Sequence, residues 1–292
     1  MQLLGRILLA LFLGTFGWAQ NGTAPKVLIP IIAKDSHNRL VSGLTTESVV
    51  ISDHKTPVTD FSLLHATDLP LDVGVLIDTS KSQRYTSLPE ALKAAKDFVN
   101  NVTRAGDDRV FFLTFSDKSE SSSWLKKDDL AGASIEVTVN GATALYDSIA
   151  IACKERMGPP DWQKPSRRVL VVLSDGEDNA SHVTLVQAES EALKYGVVIF
   201  TVGTQESPIH ASRRANRALE QMADVTGGKS FTGLSRTDMP KVFAKIKELM
   251  DGMYYARYVP PDPTNHVHEV DIKPSSKQKF EVAYPRKYAW FQ

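Results

Sequence analysis

The sequence predicts an α/β fold in which a doubly wound, mostly parallel sheet has helices on both faces and a small β domain is built from the two ends of the chain. Two observations predict the central part. Apolar runs at residues 73–77 and 169–173 have no polar alternation, which is typical of strands that are buried on both faces. Strand and helix patterns also alternate from residue 71 to residue 250, as they do in doubly wound domains.

The segments that flank this region have only a β pattern. Short β-like runs separated by turns occupy a leader at residues 27–64 and a tail at residues 254–284. Neither end has enough strands to be stable alone, and the ends of an open α/β domain often lie close together. We therefore expect leader and tail to pair in one β domain. The predicted division of the chain is 20–68, 69–252 and 253–292.

The helices and strands of the alternating region can each be predicted from local patterns. Ser87 and Glu90 have the spacing of a helix capping box, and apolar residues then recur at helical spacing up to Val102. Residues 135–139 alternate as an edge strand or an extended loop would, and a helical run follows at 144–153. The other predicted elements are strands at 109–115, 168–173 and 197–202 and helices ending at 195 and spanning 212–226 and 240–250.

Composition limits the classes of function. The 42% hydrophobic content is sufficient for a proper core. Lysine plus arginine and aspartate plus glutamate both count 34, so no net charge attracts the protein to nucleic acid, and we expect no nucleic-acid partner. Cys153 is the only cysteine, which excludes an internal disulfide and a cysteine-based metal cluster.

The first residues have the pattern of a signal peptide at 1–19. Arg6 is followed by the apolar run 7–16, and Gly17-Trp18-Ala19 suits cleavage before Gln20. The alternative is a membrane anchor, but the run is short for a spanning helix. We therefore expect a periplasmic or secreted protein with no stable membrane span after cleavage.

Oxygen-bearing side chains follow the two most apolar predicted strands. Asp78, Ser80 and Ser82 follow the strand at 73–77, and Asp175 follows the strand at 169–173. The carboxyl ends of parallel strands meet at one edge of a sheet, where ligands bind in such folds. Carboxylates and hydroxyls suit a hard cation such as Mg²⁺ and offer nothing soft to zinc or copper.

Two further polar residues allow more than one interpretation. Thr143 stands at a predicted helix start after the turn Asn140-Gly141-Ala142, so it is either an N-cap threonine or a ligand. Asp117 follows the strand at 109–115 and is either a turn residue or an acid that supports the site.

The combination of Asp78-x-Ser80-x-Ser82 with Thr143 and Asp175, each at the end of a separate element, resembles a von Willebrand factor type A domain. In that family the three loops form a metal-ion-dependent adhesion site. The resemblance implies that Ser80, Ser82 and Thr143 bind the ion directly and that Asp78 and Asp175 bind it directly or through water. The implied ion is Mg²⁺, with Mn²⁺ or Ca²⁺ as alternatives.

One residue departs from the family pattern. Lys81 occupies a position where many members have glycine, although its side chain is expected to point away from the two serines. The leader segment 35–53 and the short β tail are similar to those of exported bacterial proteins related to this family.

The resemblance implies a protein-binding module without enzymatic activity, in which the bound Mg²⁺ captures an aspartate or glutamate of a protein partner. One alternative is a metal-assisted phosphatase or hydrolase. The haloacid-dehalogenase arrangement, however, needs a second aspartate where Ser80 stands, and nucleophile-elbow, Walker and dinucleotide glycine motifs are missing from the sequence. A third hypothesis is a structural assembly subunit whose metal site is vestigial.

Overall fold

The computed structural model describes residues 25–290 except 136 and 206–211. Strands and helices alternate along the centre of the chain, and both ends are strand-rich. The strands are β1 (Val27–Lys34), β2 (Val49–Asp53), β3 (Thr56–Val58), β4 (Phe61–His65), β5 (Leu71–Asp78), β6 (Arg109–Phe115), β7 (Ser119–Ser121), β8 (Arg167–Ser174), β9 (Val198–Gly203), β10 (Lys229–Phe231), β11 (Tyr254–Tyr258), β12 (Val267–Pro274), β13 (Glu281–Ala283) and β14 (Lys287–Ala289). The helices are α1 (Leu88–Val102), α2 (Leu145–Ile151), α3 (Leu185–Lys194), α4 (Arg213–Val225) and α5 (Met239–Asp251).

The central sheet has six strands in the order β10-β9-β8-β5-β6-β7. All neighbours are parallel except β7, which pairs antiparallel with β6 at one edge. Every residue of β5 and β8 is buried, which explains why neither strand shows polar alternation. The predicted doubly wound, mostly parallel sheet is therefore confirmed.

Helices cover both faces of this sheet through apolar side chains at helical spacing. On one face, α1 and α5 pack together, with the rings of Phe98 and Phe243 5.4 Å apart. On the other face, α2, α3 and α4 contribute Leu145, Ala188 and Leu219 to a second core. The two faces are sealed from water, so the polar groups of β5 and β8 gather at the strand ends.

The two ends of the chain form two antiparallel sheets with strand orders β13-β1-β11-β4 and β14-β12-β2-β3. Each sheet contains leader and tail strands, because β1 pairs with β11 and β13 and β12 pairs with β2. They share a core that includes Ile31, Ile51 and Tyr258. The prediction that both ends form β structure together is confirmed.

Two details refine the predicted elements, and the first decides between the edge strand and the extended loop predicted at 135–139. Residues 135 and 137–139 form no strand, and β7 takes the sheet edge instead. The alternation there has another cause, since Ile135, Val137 and Val139 pack as partly buried side chains against the core on the α1 face. The helical run after residue 144 continues past α2 as a π-helical segment, Ala152–Met157.

Two findings bear on the predicted export signal. Residues 1–19 lie outside the described residues. Within residues 25–290, apart from 136 and 206–211, no helix has both the length and the apolar character needed to cross a bilayer.

Candidate metal centre

Asp78, the last residue of β5, is fully buried at the carboxyl edge of the central sheet. Its Oδ1 accepts a hydrogen bond from the Ser80 amide at 2.9 Å. Its Oδ2 accepts hydrogen bonds from Ser174 Oγ at 2.6 Å and from Gln83 Nε2 at 3.3 Å. Because β5 and β8 are parallel neighbours, Ser174 at the end of β8 reaches the same edge as Asp78.

The surroundings of Asp78 disfavour its negative charge. The pKa of the carboxyl is raised to about 6, first by burial and also by the negative charge of Asp175, although hydrogen bonds from Ser174 and Ser80 oppose the shift. The groups that donate hydrogen bonds to Asp78 are neutral. A cation beside the two carboxylates would remove the electrostatic cost of ionising Asp78.

Ser80 and Ser82 extend from the buried carboxylate towards the surface. Ser80 is buried, and its Oγ lies 2.9 Å from the Oγ of the exposed Ser82. The side chain of Lys81, between them, is exposed to solvent. The two hydroxyls are therefore adjacent, and the one at Ser82 is open to an incoming ligand.

Backbone hydrogen bonds join the loop that carries Thr143 to the Asp78 loop. The amide of Asn140 donates to the carbonyl of Thr79 at 2.9 Å, and the amide of Lys81 donates to the carbonyl of Gly141 at 3.2 Å. Gly141 has a φ of +76°, and a Cβ there would lie 2.5 Å from Asp117 Oδ1. The positive φ favours glycine at this position, and the side chain of Thr143, two residues further on, is buried.

The loop that carries Asp175 is the third loop at the carboxyl end of the central sheet. Asp175 is buried, and its Oδ1 accepts a hydrogen bond from the amide of Glu177 at 3.1 Å, while Gln205 Nε2 lies 3.4 Å from Oδ2. The Thr143 amide donates to Asn179 Oδ1 at 2.9 Å, and the Asn179 amide donates back to the Thr143 carbonyl at 3.0 Å. Hydrogen bonds therefore connect all three loops.

Comparison with known families identifies the domain family of the α/β region. The profile of the von Willebrand factor type A domain family matches residues 72–245, which is more than half of the 292 residues. The chain belongs to this family. No curated protein sequence matches it.

Several solved structures share the type A fold. One is a von Willebrand factor type A protein from Catenulispora acidiphila, with 12% identity, a TM-score of 0.50 and coverage of 94% of this chain and 75% of that one. Proximal thread matrix protein 1 from the mussel byssus, in a form with a zinc-occupied MIDAS motif, has 19% identity and a TM-score of 0.51. The match covers 68% of this chain and 50% of the mussel protein, so it spans half of that protein's length. The PilB minor pilin of Streptococcus sanguinis has 12% identity, a TM-score of 0.50 and coverage of 68% and 63%.

The candidate site also contains supporting residues that the sequence patterns did not predict. Gln83 is buried, and its Oε1 accepts hydrogen bonds from Thr204 Oγ1 at 2.7 Å and from Thr86 Oγ1 at 3.1 Å while its amide faces Asp78. Ser174 orients the same carboxylate. The position of Ser174 directly before Asp175 was a usable clue, whereas nothing in the sequence near Gln83 marks it as a site residue.

The donor set fits a hard divalent cation. The five residues predicted from the sequence offer only carboxylate and hydroxyl oxygens, and the hydrogen bonds to both carboxylates come from neutral amides and hydroxyls. Such a set suits Mg²⁺, Mn²⁺ or Ca²⁺ rather than a soft metal.

A second group of ligand-type side chains lies in the β sheets of the chain ends. Single ligand atoms of Asp53, His54 and His268 lie within 4.8 Å of one another. However, Asp53 already accepts hydrogen bonds from Tyr258 at 3.2 Å and Tyr288 at 2.5 Å, and His268 Nδ1 lies 2.8 Å from its other oxygen. Asp53 and His268 are therefore satisfied in a buried hydrogen-bond network that joins leader to tail, and His54 lies exposed beside it.

Proposed function

We propose that this chain is an exported, non-enzymatic protein-binding module whose bound Mg²⁺ captures an acidic residue of a partner. The observation that supports this function best is the buried Asp78 carboxyl, which lies beside Asp175 and, among the described residues, accepts hydrogen bonds from neutral groups. A buried carboxylate pair without a compensating cation is unfavourable for the fold alone. Such an arrangement is explained if the site has evolved to hold a cation.

In this proposal Ser80, Ser82 and Thr143 bind the ion directly, and Asp78 and Asp175 bind it directly or through water. Three of the five groups are neutral hydroxyls, so the ion remains electrophilic. Octahedral Mg²⁺ would keep one further position for a partner. An aspartate or glutamate is the natural occupant, because Mg²⁺ prefers charged oxygen ligands.

The exported location belongs to the proposal as well. It is supported by the charged and apolar pattern of residues 1–19. Mass spectrometry of the mature protein from its native host would test this directly, because cleavage at the predicted site gives a chain that begins at Gln20.

Metal binding is tested by calorimetric titration of the chelator-treated protein with Mg²⁺ and Mn²⁺. We expect binding by the natural protein and by an Asp97→Asn control, which removes an exposed carboxylate from α1. We expect none by Asp175→Asn. If Asp175→Asn binds the ions as tightly as the control, the proposed site is wrong.

Partner capture is tested by affinity purification from the envelope and secreted fractions with and without chelator. The expected partner is retained in Mg²⁺, is released by chelator and fails to bind Asp175→Asn. Capture that is identical with and without chelator contradicts the metal-dependent mechanism. Turnover of phosphate or ester substrates that Asp175→Asn abolishes would replace it with the hydrolase alternative.

A further inference from the structure

A cavity of about 540 Å³ lies where the β sheets of the chain ends meet the α/β region. Its walls come from the start of β1, from β11 and β14, from the loop 159–166 and from the end of α3. This volume is in the range of small-molecule sites. Strand β8 begins beside the cavity at Arg167 and ends at Ser174 in the metal centre. The two sites therefore lie at opposite ends of the sheet's parallel strands.

The walls of the cavity are mainly aromatic and aliphatic. Five aromatic rings contribute to them: Trp162, Tyr195, Tyr255, Tyr288 and Trp290. Such walls favour an apolar or aromatic ligand, because burying its surface removes it from water.

The charged side chains of the cavity are mainly cationic. Among the described residues, its lining includes four cations and one carboxylate, that of Asp161; the cations are Lys26, Arg168, Lys194 and Arg257. The Asp161 side chain is turned to its own loop, where Oδ1 accepts hydrogen bonds from two following backbone amides at 2.9 and 3.1 Å. The cavity therefore has an excess of positive charge.

Arg168 is the most deeply buried of these cations. Its guanidinium donates three hydrogen bonds to the carbonyls of Met157, Gly158 and Tyr195, which carry no formal charge, while the negative charge of Asp72 also acts on it. Burial lowers its pKa to about 10. Arg257 is held in a similar way, because its Nη2 donates to the carbonyl of Trp162 at 2.9 Å. Both guanidinium groups are fixed in place before any ligand arrives.

Arg167 is a second buried arginine at the start of β8, but it does not line the cavity. Its side chain is fully buried, and its Nε and Nη1 have no hydrogen-bond partner among the described residues. Its closest carboxylate oxygen, Asp251 Oδ1, is 3.6 Å from Nη1 and belongs to a residue that Lys247 also contacts. Arg167 is thus paired with Asp251 and contributes no group to the cavity.

We propose that the cavity binds a small aromatic carboxylate, with the ring between the tryptophan and tyrosine side chains and the carboxylate beside Lys26 and Arg257. An inorganic anion would leave the apolar walls unused. A neutral aromatic molecule would leave the positive charge uncompensated. This site does not depend on the proposed metal-dependent function.

Calorimetric titration with 4-phenylbutyrate and its neutral analogue 4-phenylbutanol tests the proposal. All titrations contain chelator, so that a carboxylate bound to a metal ion at Asp78 cannot be mistaken for one in the cavity. We expect the carboxylate to bind about tenfold more tightly than the alcohol, as a charge-assisted hydrogen bond would give. Trp162→Ala should weaken both compounds.

Charge variants locate the interaction. Arg257→Gln and Lys26→Gln should each weaken 4-phenylbutyrate binding by about tenfold and leave 4-phenylbutanol unchanged. Lys55→Gln, which removes an exposed cation in the turn between β2 and β3, is the matched control and should change neither. Equal affinities for the two compounds, no binding of either, or the same loss in the Lys55 control would overturn the proposal.

Discussion

Raising the pH of the metal-free protein through the range from about 4 to about 6 should lower its free energy of unfolding. Asp78 has a pKa of about 6 in the folded protein against the ordinary value of 3.8 for an aspartate. Between these values the folded state keeps a proton that the unfolded state has lost. Stability therefore falls as the pH rises and becomes independent of Asp78 above the folded pKa.

The size of this effect follows from the two pKa values. Each pKa unit corresponds to about 1.4 kcal/mol, so the full loss is about 3 kcal/mol, and about 2 kcal/mol of it falls between pH values of about 4.5 and 7.5. Mg²⁺ at about one hundred times its dissociation constant should restore about 2.7 kcal/mol at the higher pH. Ionised Asp78 thus lowers the stability of the metal-free protein and raises the stability of the metal-bound protein.

Urea unfolding in chelator at several pH values measures this effect, with Asp78→Asn as the comparison. The asparagine cannot ionise, so the variant should lack the loss of stability whatever its constant offset in stability. Groups that do not interact with Asp78 cancel in the difference. Asp108 is an example. Burial opposes the ionisation of its carboxyl, but hydrogen bonds from Arg104 outweigh this and lower its pKa. Asp108 therefore changes the free energy of unfolding at more acid pH, and it does so in both proteins. If both proteins lose the same stability between these pH values, the account of Asp78 is refuted.

Three further outcomes are expected. Gln83→Met should lower the free energy of unfolding by about 2 kcal/mol in urea titrations, because three hydrogen-bonded groups lose their buried partner; an unchanged midpoint would contradict this. Asp53→Asn should lower the free energy of unfolding by about 3 kcal/mol, since two tyrosine hydroxyls and one imidazole donate to this carboxylate. In this variant hydrogen exchange in β2 and β12 should accelerate before exchange in β5 does. Deleting residues 254–292 should expose the leader to protease, and equal protection of the leader in the shortened protein would show that it is stable without the tail.

The central fold was predictable because its strongest determinant is local. Strands β5 and β8 are buried on both faces, and this forces an uninterrupted apolar run that ends abruptly in Asp78 and in Ser174-Asp175. Parallel pairing then brings these ends to one edge without further information. The site residues were therefore predicted from their positions at strand ends more than from the identity of any one side chain.

The supporting residues were not predictable, because their roles arise from contacts across long sequence separations. Gln83 reaches Thr204 across 121 residues, and nothing in its neighbours distinguishes it from a surface glutamine. The cationic cavity has the same origin, since Lys26, Arg168 and Arg257 come from three distant segments. Local patterns left residues 135–139 open between an edge strand and an extended loop; at 135 and 137–139 the loop is found, and its apolar side chains pack against the core rather than in a paired strand.

The pairing of leader and tail depends on the α/β region between them. The amide of Ala66 donates to the carbonyl of Met253 at 2.9 Å, and His65 pairs with Tyr254, so the two ends of that region are in direct contact. In the unfolded chain the closure of so long a loop is entropically costly. Folding of the α/β region first would remove most of this cost, because it brings β4 and β11 side by side. The same geometry implies that a change in the α/β region that moves its two ends apart would strain the β sheets directly, through the β4–β11 pair.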